Sequence, residues 1–241
     1  MRYALLSDVH GNIEALEAVI EDIDRKGITD MVFLGDAVGY GPNPNECIEL
    51  LVKKSKILLA GNHDRGAIGL TDITYFNVYA RHALEWTAGI ISEENKKTLR
   101  SLPVKEELKE EDMLLVHSTP KEPEEWHYLL TLWDAEINFH YFNNAVCSLG
   151  HSHSPFIIEK VPSGELVTFK EMSKIREGSR YIINAGSVGQ PRDGDPRACY
   201  VIVDEGGIHI VRAAYNIGGV QGKMRKEHLP DMLIERLSIG R

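Results

Sequence analysis

Five apolar runs in this chain stop at residues that bind metals or move protons. Tyr3-Ala4-Leu5-Leu6 leads into Asp8-Val9-His10, and Met31-Val32-Phe33-Leu34 leads into Gly35-Asp36. Ile57-Leu58-Leu59-Ala60 leads into Gly61-Asn62-His63-Asp64, Met113-Leu114-Leu115-Val116 into His117, and Ala145-Val146-Cys147-Ser148-Leu149 into Gly150-His151-Ser152-His153. Asp8 and His10 are two apart, and at the end of an extended strand such residues face one side, so they can converge on one point. The inventory is two aspartates, one asparagine and several histidines, without thiolates. That donor set favours hard-to-borderline divalent ions, with manganese first and iron, zinc, nickel or magnesium open. It suffices for two ions that share a bridging carboxylate. Such a pair neutralises phosphate charge and lowers the pKa of bound water from 15.7 toward ~7.

Each residue alone has an ordinary explanation. Asp36 can cap a turn, Asn62 can close an Asx-turn, His117 can be a satisfied strand-end histidine, and His151 with His153 can belong to a polar loop. Their recurrence at successive strand ends carries the argument. In open α/β sheets the ligand site lies beyond the carboxyl ends of the strands, so residues far apart in sequence can share one crevice there.

The elements that must position them can be read from periodicity. Asn12 opens a helix in which Ile13, Leu16, Val19, Ile20 and Ile23 recur at helical spacing, and Gly27 closes it. After a Gly/Pro/Asn loop from Gly39 to Asn45, a helix is predicted over Glu46–Lys53, with Cys47, Leu50 and Leu51 facing inward. The β-α-β-α-β order with continuous apolar strands predicts a parallel sheet covered by helices. Residues 74–102 read as two helices, and 121–143, rich in aromatics, as helix plus loop near the mouth of the site. Tyr181–Ile183, Cys199–Val203 and Ile208–Val211 are expected to form hairpins of a second sheet, and the last helix is placed around Leu229–Leu237.

The chain has 241 residues, 43% of them hydrophobic, which suits one α/β domain over 1–241. A net charge of −9 argues against a broad nucleic-acid face and against membrane-surface binding, while leaving room for a local basic pocket. Cys47, Cys147 and Cys199 are far apart, so neither a disulfide framework nor a cysteine zinc site is expected. No signal peptide or spanning segment is evident, and a cytoplasmic location is the expectation. The sequence sets no oligomeric state.

Taken together, Asp8-Val9-His10, Gly35-Asp36, Gly61-Asn62-His63-Asp64, His117 and Gly150-His151-Ser152-His153 resemble, in content and order, the calcineurin-like metallophosphoesterase superfamily. Asn184-Ala185-Gly186-Ser187-Val188-Gly189-Gln190-Pro191-Arg192 and Gly39-Tyr40-Gly41-Pro42-Asn43-Pro44-Asn45-Glu46 look like its small prokaryotic phosphodiesterase branch. The resemblance implies a four-layer α/β/β/α sandwich of two mixed sheets flanked by helices. It implies that Asp8, His10, Asp36 and His153 hold one divalent ion and that Asp36, Asn62, His117 and His151 hold the other. His63, off the metals, would protonate the leaving alkoxide while hydroxide from a metal-activated water attacks phosphorus.

One departure matters. The Ser/Thr protein phosphatases of the superfamily carry Asp-Arg-Gly where this chain reads Gly39-Tyr40-Gly41, so the acid that orients their catalytic histidine is missing. Asp64 is a candidate replacement. The departure favours a small phosphodiester or nucleotide-type substrate. Arg192 can donate to a phosphate oxygen or be a solvated turn residue, and Tyr40 and Trp126 can stack on a base or pack at the rim. Phosphomonoesters and dinucleoside polyphosphates remain alternative substrates on the same site. A non-catalytic metal-binding scaffold and a single-metal hydrolase are the competing classes.

Overall fold

The computed structural model describes residues 2–241. The first half of the chain runs β1 (Tyr3–Leu6), α1 (Ile13–Arg25), β2 (Asp30–Phe33), α2 (Pro44–Lys54), β3 (Ile57–Leu58), α3 (Asn62–Ala67), α4 (Val78–Ile90) and α5 (Glu93–Ser101). Then come β4 (Lys105–Leu108), β5 (Met113–Val116), α6 (Leu132–Asn138), β6 (Val146–Leu149), β7 (Phe156–Lys160) and β8 (Leu166–Phe169). The chain ends with β9 (Met172–Ser173), β10 (Arg180–Asn184), β11 (Ala198–Asp204), β12 (Gly207–Ala213), α7 (Ile217–Lys226) and α8 (Asp231–Glu235).

The strands form two six-stranded sheets, β3-β2-β1-β11-β12-β9 and β4-β5-β6-β10-β7-β8. Both are mixed. β1 pairs parallel with β2 and antiparallel with β11, and β6 pairs parallel with β5 and β10 while β7 runs antiparallel to β10. Alternation along each strand sorts side chains into layers. Leu5, Val32, Leu115, Tyr181 and Val201 share one buried cluster between the sheets. Ala4, Leu6 and Phe33 point the other way, onto Leu16, Val19 and Ile20 of α1 and Cys47 and Leu51 of α2. Leu114, Val116, Cys147 and Ile182 face outward from the second sheet onto Ala135 of α6 and onto Phe139 and Phe142. The result is the expected α/β/β/α sandwich, with each fully buried aliphatic side chain worth roughly 1.5–3 kcal/mol.

Several expectations are corrected. Tyr181–Ile183 belongs to β10, which lies beside β6 in parallel; of the three runs, the other two, in β11 and β12, form a hairpin with each other, and it extends the sheet of β1. A Gly/Asp turn specifies a local reversal, but nothing local specifies which sheet the strand joins. The third strand is only Ile57–Leu58, although Leu59 N–H still donates to the Phe33 carbonyl at 2.9 Å. The second helix starts at Pro44, whose fixed φ suits a first turn, and Leu50 is only partly buried. The predicted last helix splits into α8 and a short 3-10 turn at Arg236–Ser238, preceded by α7, which polar spacing had hidden. β4, β7, β8 and β9 were also not predicted; the charged β4, Lys105–Leu108, lies at the edge of its sheet. Cys47, Cys147 and Cys199 are free and buried.

Candidate metal centre

The site lies beyond the carboxyl ends of β1, β2, β5 and β6, where the loops carry their histidines and aspartates inward. Strand alternation is not what makes Asp8 and His10 converge. β1 ends at Leu6, and both residues adopt left-handed backbone, at φ 55° and 51°. Asp36, His151 and His153 do the same, at φ 62°, 64° and 59°. Such backbone costs of order 1–3 kcal/mol per residue and persists only where the surroundings enforce it. Here the enforcement is mutual. Asp8 N–H donates to the Gly35 carbonyl and His10 N–H to the Asp36 carbonyl, so the β1 and β2 loops run as a pair. The 184–192 loop braces them: Gly189 N–H and Ser187 Oγ–H both donate to the Asp8 carbonyl, and Arg192 N–H donates to the His153 carbonyl.

Two constellations result. Asp8 Oδ1 lies 3.6 Å from His10 Nε2 and 3.2 Å from His153 Nε2, and the two imidazole nitrogens are 3.0 Å apart. Asp36 Oδ2 lies 3.3 Å from His117 Nε2 and 3.7 Å from His10 Nε2, so it faces both groups. One ligand atom from each of Asp36, His117 and His151 falls within 4.8 Å of the others. Asn62 and His151 line the same cavity.

Four of the site's histidines are fixed from behind by main-chain carbonyls. His10 Nδ1 donates to Val38, His117 Nδ1 to Leu34, His153 Nδ1 to Gln190, and His151 Nε2 to Trp126. A carbonyl only accepts, so these nitrogens carry the hydrogens. The nitrogens left to face the site are then Nε2 on His10, His117 and His153, and Nδ1 on His151.

The residues fit a pair of metal ions. Asp8 Oδ1, Asp36 Oδ2, Asn62 Oδ1 and His117 Nε2 are buried and lack a hydrogen-bond partner. A buried polar atom without a partner is costly, and four at one place call for a shared electrophile. Their second atoms are occupied: Asp8 Oδ2 accepts from His151 N–H, and Asp36 Oδ1 accepts from His63 N–H. Gly61 permits this packing, since a Cβ there would lie 2.1 Å from Asp36 Oδ1.

The electrostatics follow from burial against neighbouring charge. Burial opposes the charge on Asp8, but His153 and His10 outweigh it and hold the carboxyl well below its ordinary range. Asp36 is held low likewise, burial being overcome by His117 and His63. Burial disfavours a charged His117, yet the Asp36 carboxylate lifts it to about 9. His151 drops to about 4 through burial and the nearby His117, and His153 to about 3 through burial and Arg192. Burial also holds His63 well below its usual value.

Asp64 does not orient His63. Its Oδ2 accepts from Gly61 and Asp36 N–H and its Oδ1 from Val38 N–H, so it ties together the loops carrying Asp36 and His63. Burial and the Asp36 charge push it up to about 7 despite those donors. His63 Nδ1 is buried without a partner. The ring is held by packing instead, with centroids 4.6 Å from Tyr40, 4.7 Å from His10 and 5.1 Å from Phe76. His63 also groups with His10 and Asp36 within metal-binding reach, a combination the sequence reading did not contain.

Arg192 and Tyr40 are beside the centre. Arg192 Nη2 donates to Tyr40 OH at 3.2 Å and to Gln190 Oε1 at 3.0 Å, while its buried Nε has no partner. Sequence reasoning missed Tyr128, whose ring stacks on His151 at 4.0 Å, and Arg236, whose Nη1 donates to Gln190 Oε1. It also missed all four carbonyl acceptors, since a main-chain acceptor leaves no mark on residue type.

Residues 1–206 match the model of the calcineurin-like phosphoesterase superfamily domain, and the chain belongs to that family. It is 43% identical to the uncharacterized protein MJ0912 of Methanocaldococcus jannaschii over 242 residues, covering 99% of this chain and 98% of that one. The crystal structure of a metallophosphoesterase from Sphaerobacter thermophilus superposes with a TM-score of 0.87 at 40% identity, over 100% of this chain and 99% of the other. A hypothetical protein, PH1004, from Pyrococcus horikoshii shares the fold at 20% identity and a TM-score of 0.78, over 100% and 98% of the two chains. The family implies divalent metal ions and a phosphoesterase hydrolase. No helix among the described residues is long and apolar enough to cross a membrane.

Proposed function

We propose that residues 1–241 act as one dinuclear metal-dependent phosphodiesterase of the small prokaryotic kind, working on a small phosphodiester or nucleotide-type substrate. Asp8, His10, Asp36 and His153 hold one ion, Asp36, Asn62, His117 and His151 hold the other, and manganese suits this oxygen and nitrogen donor set. The observation that carries the reading is the convergence of four buried, partnerless ligand atoms, beside histidines whose other nitrogens are already tied to carbonyls. When bound, the two cations neutralise phosphate charge and acidify water.

This chain's own groups do the rest. Arg192, with a free Nε–H, binds a phosphate oxygen, and Tyr40 supports its guanidinium. His63, beside His10 and Asp36, serves as the general acid that donates a proton to the leaving oxygen. Burial keeps that ring neutral in the resting protein. The arriving phosphate anion supplies the opposite charge that lets it hold a proton. Asp64 is a positioning residue for the loops. Three free, buried cysteines suit a reducing cytoplasm.

The test is His63→Ala with bis(4-nitrophenyl) phosphate and added manganese. Metal content should stay at two ions while kcat falls about 10²–10⁴-fold. Unchanged kcat removes His63 from the chemistry, and loss of one ion makes it a ligand. Faster turnover of monoesters or dinucleoside polyphosphates by the wild type would replace the phosphodiester assignment. Two bound ions without turnover on any phosphoester would favour a scaffold.

A further inference from the structure

The cavity above the centre holds about 560 Å³, and its walls are unevenly charged. Arg192, at its floor with Asn62 and His63, is the single lysine or arginine among the described residues that line it. Three carboxylates line it as well, and Asp72, Glu124 and Glu125 are all exposed. Aromatic side chains line it beside these carboxylates. Tyr75 is 90% exposed, and Tyr128, one face of which stacks on His151, is still 50% exposed. Trp126 joins them from a left-handed backbone position at φ 54°. The same residue's carbonyl holds His151, so the ring's placement and the metal centre's geometry are set by one peptide.

Resting on the phosphodiesterase reading, we infer that this cavity selects a phosphodiester of single negative charge that carries a flat ring of nucleobase size, and rejects polyphosphates. The floor has one protein cation, Arg192, beside the ligand residues, which suits one phosphate. A second or third phosphate in line would extend toward the mouth, where it meets carboxylates and no cation. Like charges in a cleft raise the cost of binding and slow encounter, an effect that salt weakens. A ring meets the opposite situation, since stacking on an aromatic side chain is worth about 1–3 kcal/mol and tolerates any base. The mouth carboxylates can also accept from amino and hydroxyl groups of a nucleoside, which a polyphosphate tail lacks.

The experiment uses the manganese-loaded protein and three compounds. Thymidine 5′-(4-nitrophenyl phosphate) and methyl 4-nitrophenyl phosphate share charge and leaving group and differ in the nucleoside. Diadenosine tetraphosphate keeps the bases and adds charge. The expected kcat/KM for the thymidine diester is at least about tenfold above both others, as one stacked ring predicts. Tyr75→Ala, a change at an exposed side chain, should cost the thymidine diester about fivefold more than the methyl diester. Glu124→Gln with Glu125→Gln should raise turnover of diadenosine tetraphosphate and flatten its dependence on salt. Tryptophan quenching by thymidine monophosphate methyl ester, measured without added metal, should weaken in Tyr75→Ala. Equal kcat/KM for the two diesters, or diadenosine tetraphosphate as the best of the three, overturns the inference while leaving a phosphoesterase. Turnover of none of them by a protein holding two ions overturns the phosphodiesterase reading itself, and this inference with it.

Discussion

Gly39 faces the His63 ring so closely that a Cβ at Gly39 would lie 2.4 Å from His63 Nδ1. The sequence resemblance aligns this position with an acid of the superfamily's protein phosphatases, and here the His63 ring packs directly against the glycine. Gly39 has φ +88°, a backbone that other residues rarely adopt. His63 is therefore aligned by Tyr40, Phe76 and the glycine backbone, with no charged partner on Nδ1. Gly39→Ala should shift the ring or strain the loop by about 1–3 kcal/mol. We expect kcat to fall about 10–100-fold with metal content retained, and Gly39→Asp to be worse rather than restorative. Elemental analysis beside steady-state kinetics checks this; a fully active Gly39→Asp enzyme would show that the slot still accepts an acid.

Asp36 Oδ2 lies 3.7 Å from His10 Nε2 and 3.3 Å from His117 Nε2, so it faces both constellations. Asp36→Asn should therefore weaken both ions together, whereas His153→Asn should weaken one. The expected readout is fewer than one manganese per chain for the first variant and about one for the second, with turnover lost in both. Equal stoichiometry in the two variants would deny Asp36 its bridging place.

The sequence made the ligands legible because each sits just past an apolar run, and strand ends of one sheet lie together. The residues that aim those ligands were not legible. Val38, Leu34, Trp126 and Gln190 act through their carbonyls, so side-chain identity says nothing of the role. The left-handed turns at Asp8 and His10 were equally hidden, since extended alternation predicts the same convergence by a different backbone. Asp64 misled through proximity in sequence: it neighbours His63, but a helix start turns its carboxylate toward the amides of Gly61, Asp36 and Val38. Sheet membership of β10 depended on pairing across long sequence distance, which periodicity does not encode.

Metal uptake should release protons, in an amount set by pH. Without metal, His117 titrates near 9, because the Asp36 charge outweighs burial. A raised pKa means the proton is held below 9 and absent above it. Binding needs the Nε2 lone pair, so between pH 7 and 9 the metal-free site gives up about one proton from His117. Below 7 Asp64 adds to this, since burial and Asp36 push it up to about 7 and a cation on Asp36 removes the second cause. His151 and His153, lowered to about 4 and about 3, are neutral throughout this window and contribute none. Apparent affinity should fall about tenfold per pH unit from 9 to 7 and more steeply below. Calorimetry in buffers of different ionisation enthalpy measures the release; none at pH 8 would contradict it.

Arg236 should tune phosphate binding without touching phosphate. Its guanidinium and that of Arg192 donate to one acceptor, Gln190 Oε1, at 3.2 Å and 3.0 Å. Arg192 is also held over the Tyr40 ring, 5.6 Å from its centroid. Removing Arg236 leaves Gln190 with one donor and lets its amide turn, so Arg192 loses a fixed anchor while keeping its charge. Arg236→Ala should raise KM about 3–10-fold with kcat nearly unchanged, because the loss is of binding common to ground and transition states. Arg192→Ala should raise KM further and lower kcat as well, because it removes the group proposed to meet the phosphate. Arg236→Lys restores the charge but not the planar fork, so it should recover only part of the KM. If Arg236→Ala instead lowered kcat with KM constant, the C-terminal segment would be acting on the chemistry rather than on Arg192.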